Sequence, residues 1–208
     1  MSKYIVTISR QYGSGGKTIA GMFAEKQGIP CYGRDIIRRA SDESGISEAL
    51  FAQADEKLVN GTLFGISKKI YRGELLPPSS SEFTSPQNLF NYQAKIIRDL
   101  ADQPGSSVFI GRCADFVLAD RPETVSVFIH APKDYCLEQA RLRNPMSGVD
   151  LEKFVAKTDK FRGDFYRYYT GREWNDARNF DLCLDSSKLG FEGCVSAIEA
   201  YLKVRFGE

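Results

Sequence analysis

A glycine cluster between the first strand and the first helix constrains this chain more than any other feature. Residues 4–9 are rich in β-branched side chains, which favours a strand, and the glycine-rich run 13–16 follows at once. Apolar residues then recur at helical spacing from position 19. Glycines let successive backbone N–H groups turn toward phosphate oxygens, and a helix N-terminus adds its positive end. The pattern predicts a phosphate-binding P-loop.

The loop provides candidates for binding a nucleoside triphosphate and a metal ion. Lys17 is placed to reach the β- and γ-phosphates, and the Thr18 hydroxyl is placed to hold Mg²⁺. The predicted ATP-binding residues are Gly13, Ser14, Gly15, Gly16, Lys17 and Thr18. The usual pattern begins with a glycine where this chain has Gln11. A glycine-rich turn with an incidental lysine is therefore the alternative.

A triphosphate site does not by itself define what the protein does. A GTPase that reads guanine would carry an Asn-Lys-x-Asp motif, which the sequence lacks. The run 102–105 matches the Asp-x-x-Gly switch pattern of GTPases, but it precedes a predicted strand where a switch would follow one. We interpret this run as a helix stop with a turn.

Short apolar segments alternate with longer amphipathic ones along the 208 residues, which predicts one α/β domain with a mostly parallel sheet. The predicted strands are residues 4–9, 29–32, 107–111, 124–130 and 180–184. Helical patterns cover 35–58 with a break at Gly45, and a further helix begins at Pro86 with Ser85 as its cap. The last helices are predicted over 132–143, 150–170 and 191–206, and the Gly-, Pro- and Ser-rich residues 60–85 are predicted to form a loop or an adaptable lobe.

Composition narrows the cellular setting and the class of partner. Lys and Arg number 28 against 27 Asp and Glu, which argues against a dedicated nucleic-acid-binding protein. The five cysteines form no CxxC pair, so free thiols are expected rather than a zinc site or a disulfide framework. No apolar run approaches the ~18 residues that span a bilayer, and the N-terminal residues lack a secretory signal pattern. We therefore expect a cytoplasmic protein without a membrane partner.

The second functional candidate lies at the carboxyl end of the predicted strand 107–111. Ligands of open α/β sheets bind beyond these strand ends, so Arg112 is predicted to point into the crevice. Its guanidinium offers a rigid, bidentate contact for phosphate. The alternative is a helix-starting loop in which Arg112 makes an ordinary surface salt bridge.

The third candidate is the basic segment 141–172, which holds eight Lys and Arg residues against four Asp and Glu. Asp159 and Arg162 are one helical turn apart on the same face of the predicted helix. A helical flap that closes over phosphates has such a charge, whereas the alternative is a solvated amphipathic helix. Clustered aromatic residues between positions 165 and 174 favour a packed and positioned element.

Together these features resemble the cytidylate kinase-like family, a branch of the P-loop nucleoside monophosphate kinases. The resemblance covers nearly the whole chain. It rests on residues 8–16 with Gln11 included, on residues 111–118, and on a discontinuous block formed by Asp159-Lys160-x-Arg162, Tyr168-Tyr169-Thr170-Gly171, Trp174 and Asn179-Phe180-Asp181-Leu182. It implies a three-layer P-loop kinase fold with a core of about 1–34, 101–140 and 173–208, a helical acceptor-binding insert of about 35–100 and a helical lid of about 141–172.

The resemblance also implies roles for individual side chains. Arg112 matches an arginine that binds the acceptor, and Asp115 follows it three residues later, whereas the family's cytidylate kinases carry an aspartate directly after that arginine. Asp159 and Arg162 match the residues at which the lid meets the acceptor and the phosphates. Val155 stands where those kinases have a further arginine.

The sequence as a whole predicts an ATP- and Mg²⁺-dependent kinase of a small acceptor, a nucleoside monophosphate such as CMP or dCMP. The predicted catalytic residues are Lys17, Asp159 and Arg162, the acceptor-binding residues are Arg34, Arg38, Arg112 and Asp115, the lid residues are Arg141, Arg143 and Arg167, and the metal ligand is Thr18. Two alternatives stay open, a kinase of a non-nucleotide small molecule and a nucleotide-binding regulatory module without turnover.

Overall fold

A parallel five-stranded sheet forms the centre of the molecule. The computed structural model describes residues 3–59, 73–145 and 148–207. The strands are β1 (Ile5–Arg10), β2 (Cys31–Tyr32), β3 (Ser107–Ile110), β4 (Thr124–His130) and β5 (Leu182–Asp185). They stand in the order β2-β3-β1-β4-β5, and each neighbouring pair is parallel. The predicted α/β class with a mostly parallel sheet is therefore confirmed.

Helices cover both faces of this sheet. They are α1 (Gly16–Gln27), α2 (Asp35–Ser44), α3 (Glu48–Val59), α4 (Pro86–Asp102), α5 (Ala114–Val117), α6 (Lys133–Arg141), α7 (Gly148–Thr170) and α8 (Ser186–Phe206), with a 3₁₀ turn at Ala177–Asn179. Helix α4 begins as predicted, because the Ser85 side chain accepts a hydrogen bond from the Asn88 amide. Residues 73–85 form neither helix nor strand, and the rest of the predicted loop, 60–72, lies outside the described residues. Within the described part, the chain has no helix with the length and hydropathy of a membrane span.

Alternate side chains of each strand pack on opposite faces of the sheet, which creates two cores. Ile5 of β1 joins one core with Phe109 of β3, and Val6 joins the other with Val108. Helices α1 and α8 pack on the Val6 face, whereas α2, α3, α4 and α5 pack on the Ile5 face. The three-layer architecture follows from this alternation.

Helix α7 belongs to two parts of the molecule. Its C-terminal half lies in the core on the Ile5 face, where the Tyr169 ring stacks on Phe90 with centroids 4.0 Å apart. Its N-terminal half packs on α6 through Leu151 and Val155. The predicted lid 141–172 therefore contains a stretch that is built into the core.

Strand β5 and helix α8 begin at residues other than those predicted. Strand β5 begins at Leu182 rather than at 180, because the Phe180 amide closes the preceding 3₁₀ turn by donating to the Ala177 carbonyl at 3.2 Å. Helix α8 begins at Ser186, where the Asp185 side chain caps it, but Gly190 is not helical (φ 67°, ψ 177°), so the predicted helix from 191 follows a separate first turn. Both differences arise from local hydrogen bonds that hydrophobic periodicity does not reveal.

Candidate functional site

The turn between β1 and α1 requires two of its glycines for their backbone conformation. Gly13 and Gly15 have φ angles of 81° and 78°, a left-handed region that other residues adopt only with strain. A Cβ at Gly13 would also overlap the backbone of Cys136, and one at Gly15 would overlap the Phe191 ring. Helix α1 begins at Gly16, directly after this turn. The turn therefore has the geometry of an anion-binding helix N-terminus.

The glutamine that departs from the usual loop pattern has a structural role. Gln11 Oε1 accepts a hydrogen bond from the Ala131 amide at 3.1 Å, which joins the end of β1 to the segment after β4. The Ser14 hydroxyl donates to the Gln11 carbonyl at 2.9 Å, and the Ser186 hydroxyl donates to the Ser14 carbonyl at 2.7 Å. The side chains of Gln11 and Ser14 thus shape the loop from within.

A cavity of about 660 Å³ opens beside this loop, beyond the carboxyl ends of β1 and β3. Six cationic side chains line it: Arg10, Lys17, Arg34, Arg112, Arg143 and Arg162. Among the described residues, the lining includes no Asp, Glu or His. Its aromatic wall consists of Phe161, Phe165, Tyr166 and Trp174. The cavity suits a strongly anionic ligand that also has a flat or apolar part.

Asp159 holds Arg162 against the phosphate loop. Asp159 Oδ1 accepts hydrogen bonds from Arg162 Nη1 at 3.1 Å and from the Tyr12 amide at 2.7 Å. Arg162 Nη1 also donates to the Arg10 carbonyl at 3.0 Å. Burial raises the pKa of Asp159, and the Tyr12 amide and the charge of Arg162 oppose the rise. The contact between Asp159 and Arg162 across one helical turn is therefore present.

Arg112 enters the cavity from a strained turn. Arg112 and Cys113 have positive φ angles of 57° and 54°, which are uncommon for residues other than glycine. Arg112 Nη1 donates to Gln93 Oε1 at 3.3 Å, and its guanidinium carbon lies 5.6 Å from the centre of the Phe165 ring. Backbone strain of this kind concentrates at functional sites, where the surrounding structure maintains it. Arg112 thus lies in the crevice that the strand end predicts.

Seven of the predicted site residues do not line the cavity, namely Ser14, Thr18, Arg38, Asp115, Arg141, Asp159 and Arg167. Asp115 is buried behind it, where it accepts a hydrogen bond from the Tyr166 hydroxyl at 2.6 Å, and burial raises the pKa of Asp115 to about 6. Arg38 and Arg141 are exposed on their helices, and Arg167 pairs with Glu173. The predicted substrate contacts of these residues therefore stay predictions. Helical periodicity does not show which polar side chains of a helix meet a cavity formed by other elements.

Sequence reasoning missed Arg10, which lies between the phosphate loop and the Arg112 turn. The signal that was available is its place as the last residue of β1, because ligands bind beyond the carboxyl ends of parallel strands. It also missed Phe161 and Tyr166 of α7 as cavity-lining residues.

A magnesium ion would find a single predicted protein ligand here. The Thr18 hydroxyl, in the first turn of α1, accepts a hydrogen bond from Arg143 Nη2 at 3.1 Å. The described part of the chain holds no group of three His, Cys, Asp or Glu side chains that is able to bind a metal. Mg²⁺ commonly combines one or two protein oxygens with water and substrate phosphates. The Thr18 hydroxyl therefore fits an ion that enters together with a nucleotide.

Comparison with known proteins places these features in a family context. A sequence profile described as the cytidylate kinase-like family matches residues 5–188. No curated protein matches the sequence significantly.

Solved structures similar to this chain share its fold. A crystal structure of an uncharacterized protein from Eubacterium ventriosum matches with 24% identity and a TM-score of 0.69, over 97% of this chain and 99% of that chain. Shikimate kinase from Bacteroides thetaiotaomicron matches with 12% identity and a TM-score of 0.51, over 97% and 99% of the two chains. A sugar kinase from a Janibacter species matches with 15% identity and a TM-score of 0.51, over 97% and 95%. At these identities the likeness concerns the fold, which is that of P-loop kinases.

Proposed function

The chain belongs to the cytidylate kinase-like family, and we propose that it transfers a phosphoryl group from ATP to a nucleoside monophosphate such as CMP or dCMP. Family membership supports the broader activity, phosphoryl transfer to a small molecule. One observation supports a phosphate as the acceptor group. Among the described residues, six cations line the cavity without a carboxylate or an imidazole.

This lining favours an acceptor oxygen that is already ionised. A hydroxyl acceptor must lose a proton as it attacks, and kinases that phosphorylate hydroxyls place a carboxylate to accept it. Here Asp159 is engaged by Arg162 and by the Tyr12 amide. A phosphate monoester has a second pKa of ~6 and is mostly a dianion at neutral pH. Its oxygen bonds to the γ-phosphorus, the bond from that phosphorus to the bridging oxygen breaks, and ADP leaves without a proton transfer.

The aromatic wall of the cavity supports a nucleoside attached to that phosphate. Phe161 and Phe165 lie next to each other on α7, with ring centroids 5.9 Å apart, and Trp174 follows the end of that helix. Flat bases stack favourably on such rings. The acceptor side of the cavity thus offers a cationic floor for a phosphate and an apolar wall for a base.

Each site residue has a distinct task in this proposal. Lys17 and the loop amides bind the triphosphate, and the Thr18 hydroxyl would hold Mg²⁺, which would neutralise phosphate charge during the transfer. Arg112 binds the acceptor phosphate. Arg162 neutralises the transferring group, and Asp159 orients Arg162 through the hydrogen bond at 3.1 Å.

A coupled assay of ADP release across paired acceptors tests this function. Each nucleoside monophosphate is compared with its nucleoside, so that the two acceptors differ only in the phosphate. We expect CMP or dCMP to support ADP release and cytidine or deoxycytidine not to. Release with hydroxyl or carboxylate acceptors alone would contradict the proposal in favour of a non-nucleotide kinase. Tight ATP binding without turnover for any acceptor would instead indicate a regulatory module.

A further inference from the structure

Arg10 lies across the floor of the cavity, between its two halves. A Cβ at Gly16 would overlap the Cβ and Cγ of Arg10, and a Cβ at Gly111 would overlap its Nη1. The Arg10 side chain therefore begins against the first residue of α1 and ends against the residue before Arg112. Its guanidinium connects the phosphate loop with the turn that carries the acceptor arginine.

The glycine at position 16 is explained by close packing against the stem of Arg10 and against Ile129 rather than by backbone conformation. Gly13 and Gly15 have positive φ angles, but Gly16 does not. Any side chain at position 16 would occupy the space that the stem of Arg10 fills. The second glycine of the Gly-Gly pair thus lets the start of α1 pack directly on the Cβ and Cγ of residue 10.

The Arg10 guanidinium has cationic neighbours and, among the described residues, no bonded partner. In the described part of the chain it makes neither a hydrogen bond nor an ion pair, and only its carbonyl is bonded, by Arg162. Burial lowers the pKa of Arg10 to about 9, and the charges of Arg162, Arg112 and Arg34 lower it as well, whereas Asp159 opposes them. Arg10 is still a cation at neutral pH. A cation that is half-buried among other cations is costly unless an anion joins it.

Lys17, the other cation of the phosphate loop, does not lie beneath the loop as Arg10 does. It is exposed on the first turn of α1. Burial and Asp35 raise the pKa of the Cys31 thiol, and the charge of Lys17 opposes that rise, so the Lys17 ammonium lies toward the start of β2. Arg10 is therefore the cation that runs beneath the loop, whereas Lys17 stands at the rim of the cavity.

We propose that Arg10 is a further phosphate-binding residue, which holds the transferring phosphoryl group where the donor and acceptor sites meet. The role in transfer rests on the proposed function, but the phosphate contact does not. The empty site keeps Arg10 among like charges, and a bound polyphosphate relieves their repulsion. Loss of Arg10 should therefore weaken polyphosphate binding without lowering the stability of the ligand-free protein.

Three variants test this assignment. Arg10→Met removes the charge and keeps an unbranched apolar stem, and Arg10→Lys keeps a cation without the guanidinium. Arg178→Met is the matched control, because Arg178 is exposed and pairs with Asp176. For each variant, calorimetry measures the affinity for inorganic tripolyphosphate, a thermal melt measures the ligand-free Tm, and kcat is measured with ATP and CMP.

For Arg10→Met we expect tripolyphosphate affinity to fall at least 10-fold and kcat at least 100-fold, with a ligand-free Tm equal to or above that of the wild type. Arg10→Lys should lose tripolyphosphate affinity between pH 7 and pH 9, because an ammonium has a lower ordinary pKa than a guanidinium and loses its proton first among these cations. The wild type should keep its affinity to a higher pH, since the pKa of Arg10 is itself lowered only to about 9. If Arg10→Met does not fold, the pH profile of Arg10→Lys alone tests whether residue 10 binds phosphate. Arg178→Met should match the wild type in all three measurements.

Wild-type tripolyphosphate affinity in Arg10→Met, or a flat pH profile in Arg10→Lys, would overturn the assignment. A wild-type enzyme that turns over CMP while Arg10→Met retains its kcat would overturn the role in transfer and leave the proposed function intact. A wild-type protein that turns over no nucleotide, but loses tripolyphosphate binding in Arg10→Met, would support the phosphate contact and refute the proposed function.

Discussion

Burial gives Asp115 a role in the protein's pH dependence. Its pKa rises from 3.8 to about 6, chiefly because the carboxyl is desolvated, whereas the Tyr166 hydroxyl bond opposes the rise. The folded protein therefore binds this proton more tightly than the unfolded chain does. The resulting stabilisation is complete below the unfolded pKa of 3.8 and is lost as the pH rises through about 6.

Asp115→Asn should remove this pH dependence, because an amide does not titrate and its oxygen still accepts from Tyr166. Wild-type unfolding free energy should fall by roughly 2–3 kcal/mol between pH 4 and pH 7 relative to the variant. Urea denaturation at both pH values measures the difference. Asp120→Asn, at an exposed carboxyl paired with Arg98, is the control. Parallel pH dependence in the wild type and Asp115→Asn would contradict the prediction.

Loss of Arg112 and loss of Lys17 should each weaken the use of a different substrate. Arg112→Ala is expected to raise the KM for the acceptor far more than the KM for ATP, since Arg112 lies beyond β3 rather than on the loop. Lys17→Ala is expected to act mainly on ATP and to lower turnover at least about 100-fold, or ~2.7 kcal/mol. Steady-state kinetics with each substrate varied in turn separates the two effects. If Arg112→Ala lost ATP affinity as much as acceptor affinity, Arg112 would instead bind the donor or stabilise the fold.

Within α7, Arg162 and Asp159 should contribute unequally to the rate. Cationic residues that neutralise a transferring phosphoryl group contribute roughly 10³–10⁵ in rate, so Arg162→Ala should lower kcat steeply and leave ATP affinity within a few-fold. Asp159→Asn should cost less, because its amide oxygen still accepts from Arg162 and from the Tyr12 amide. Measurement of kcat together with the ATP Kd tests both variants. A normal kcat in Arg162→Ala would show that α7 does not stabilise the transferring phosphoryl group.

The packing of α7 limits which part of it is able to move. Tyr169 and Phe165 lie in the core, whereas Asp159 and Arg162 contact the phosphate loop. We therefore predict that a bisubstrate analogue, adenosine and cytidine joined by a polyphosphate, raises hydrogen-exchange protection between residues 141 and 162. Residues 165–170 should be protected with or without the analogue. Unchanged protection between residues 141 and 162 would show that this stretch does not become ordered when ligand binds, and would contradict its role as a lid.

Elements with strong local signals could be predicted from the sequence, and contacts between distant segments could not. Ser85 and Pro86 mark the start of α4, and the structure confirms it. By contrast, the C-terminal half of α7 joins the core through Tyr169 and Phe90, residues far apart in the chain. The use of Gly16 to accommodate Arg10 is of the same kind. Single-sequence periodicity contains no information about which distant side chain will fill a space.

At the scale of the whole molecule, positive charge is not in excess but is concentrated in one cavity. The chain has a net charge of +1, yet six cations of the described residues line one cavity, so the rest of the chain sums to a net negative charge. A cavity of one sign with low-dielectric walls focuses its field and draws anions of the opposite sign. The overall charge balance predicted only that nucleic acid is an unsuitable partner. The cations lie together because the carboxyl ends of the strands and helix α7 meet at one cavity.

Direct identification of the phosphorylated product tests the central claim most sharply. The protein is incubated with ATP, Mg²⁺ and CMP, and the product is observed by ³¹P NMR. If an ionised phosphate is the acceptor, the monoester resonance of CMP should decline, and the coupled diphosphate resonances of CDP should appear beside those of the ADP that leaves. A new phosphate monoester on a ribose hydroxyl, or inorganic phosphate alone, would contradict the proposed transfer to an ionised phosphate.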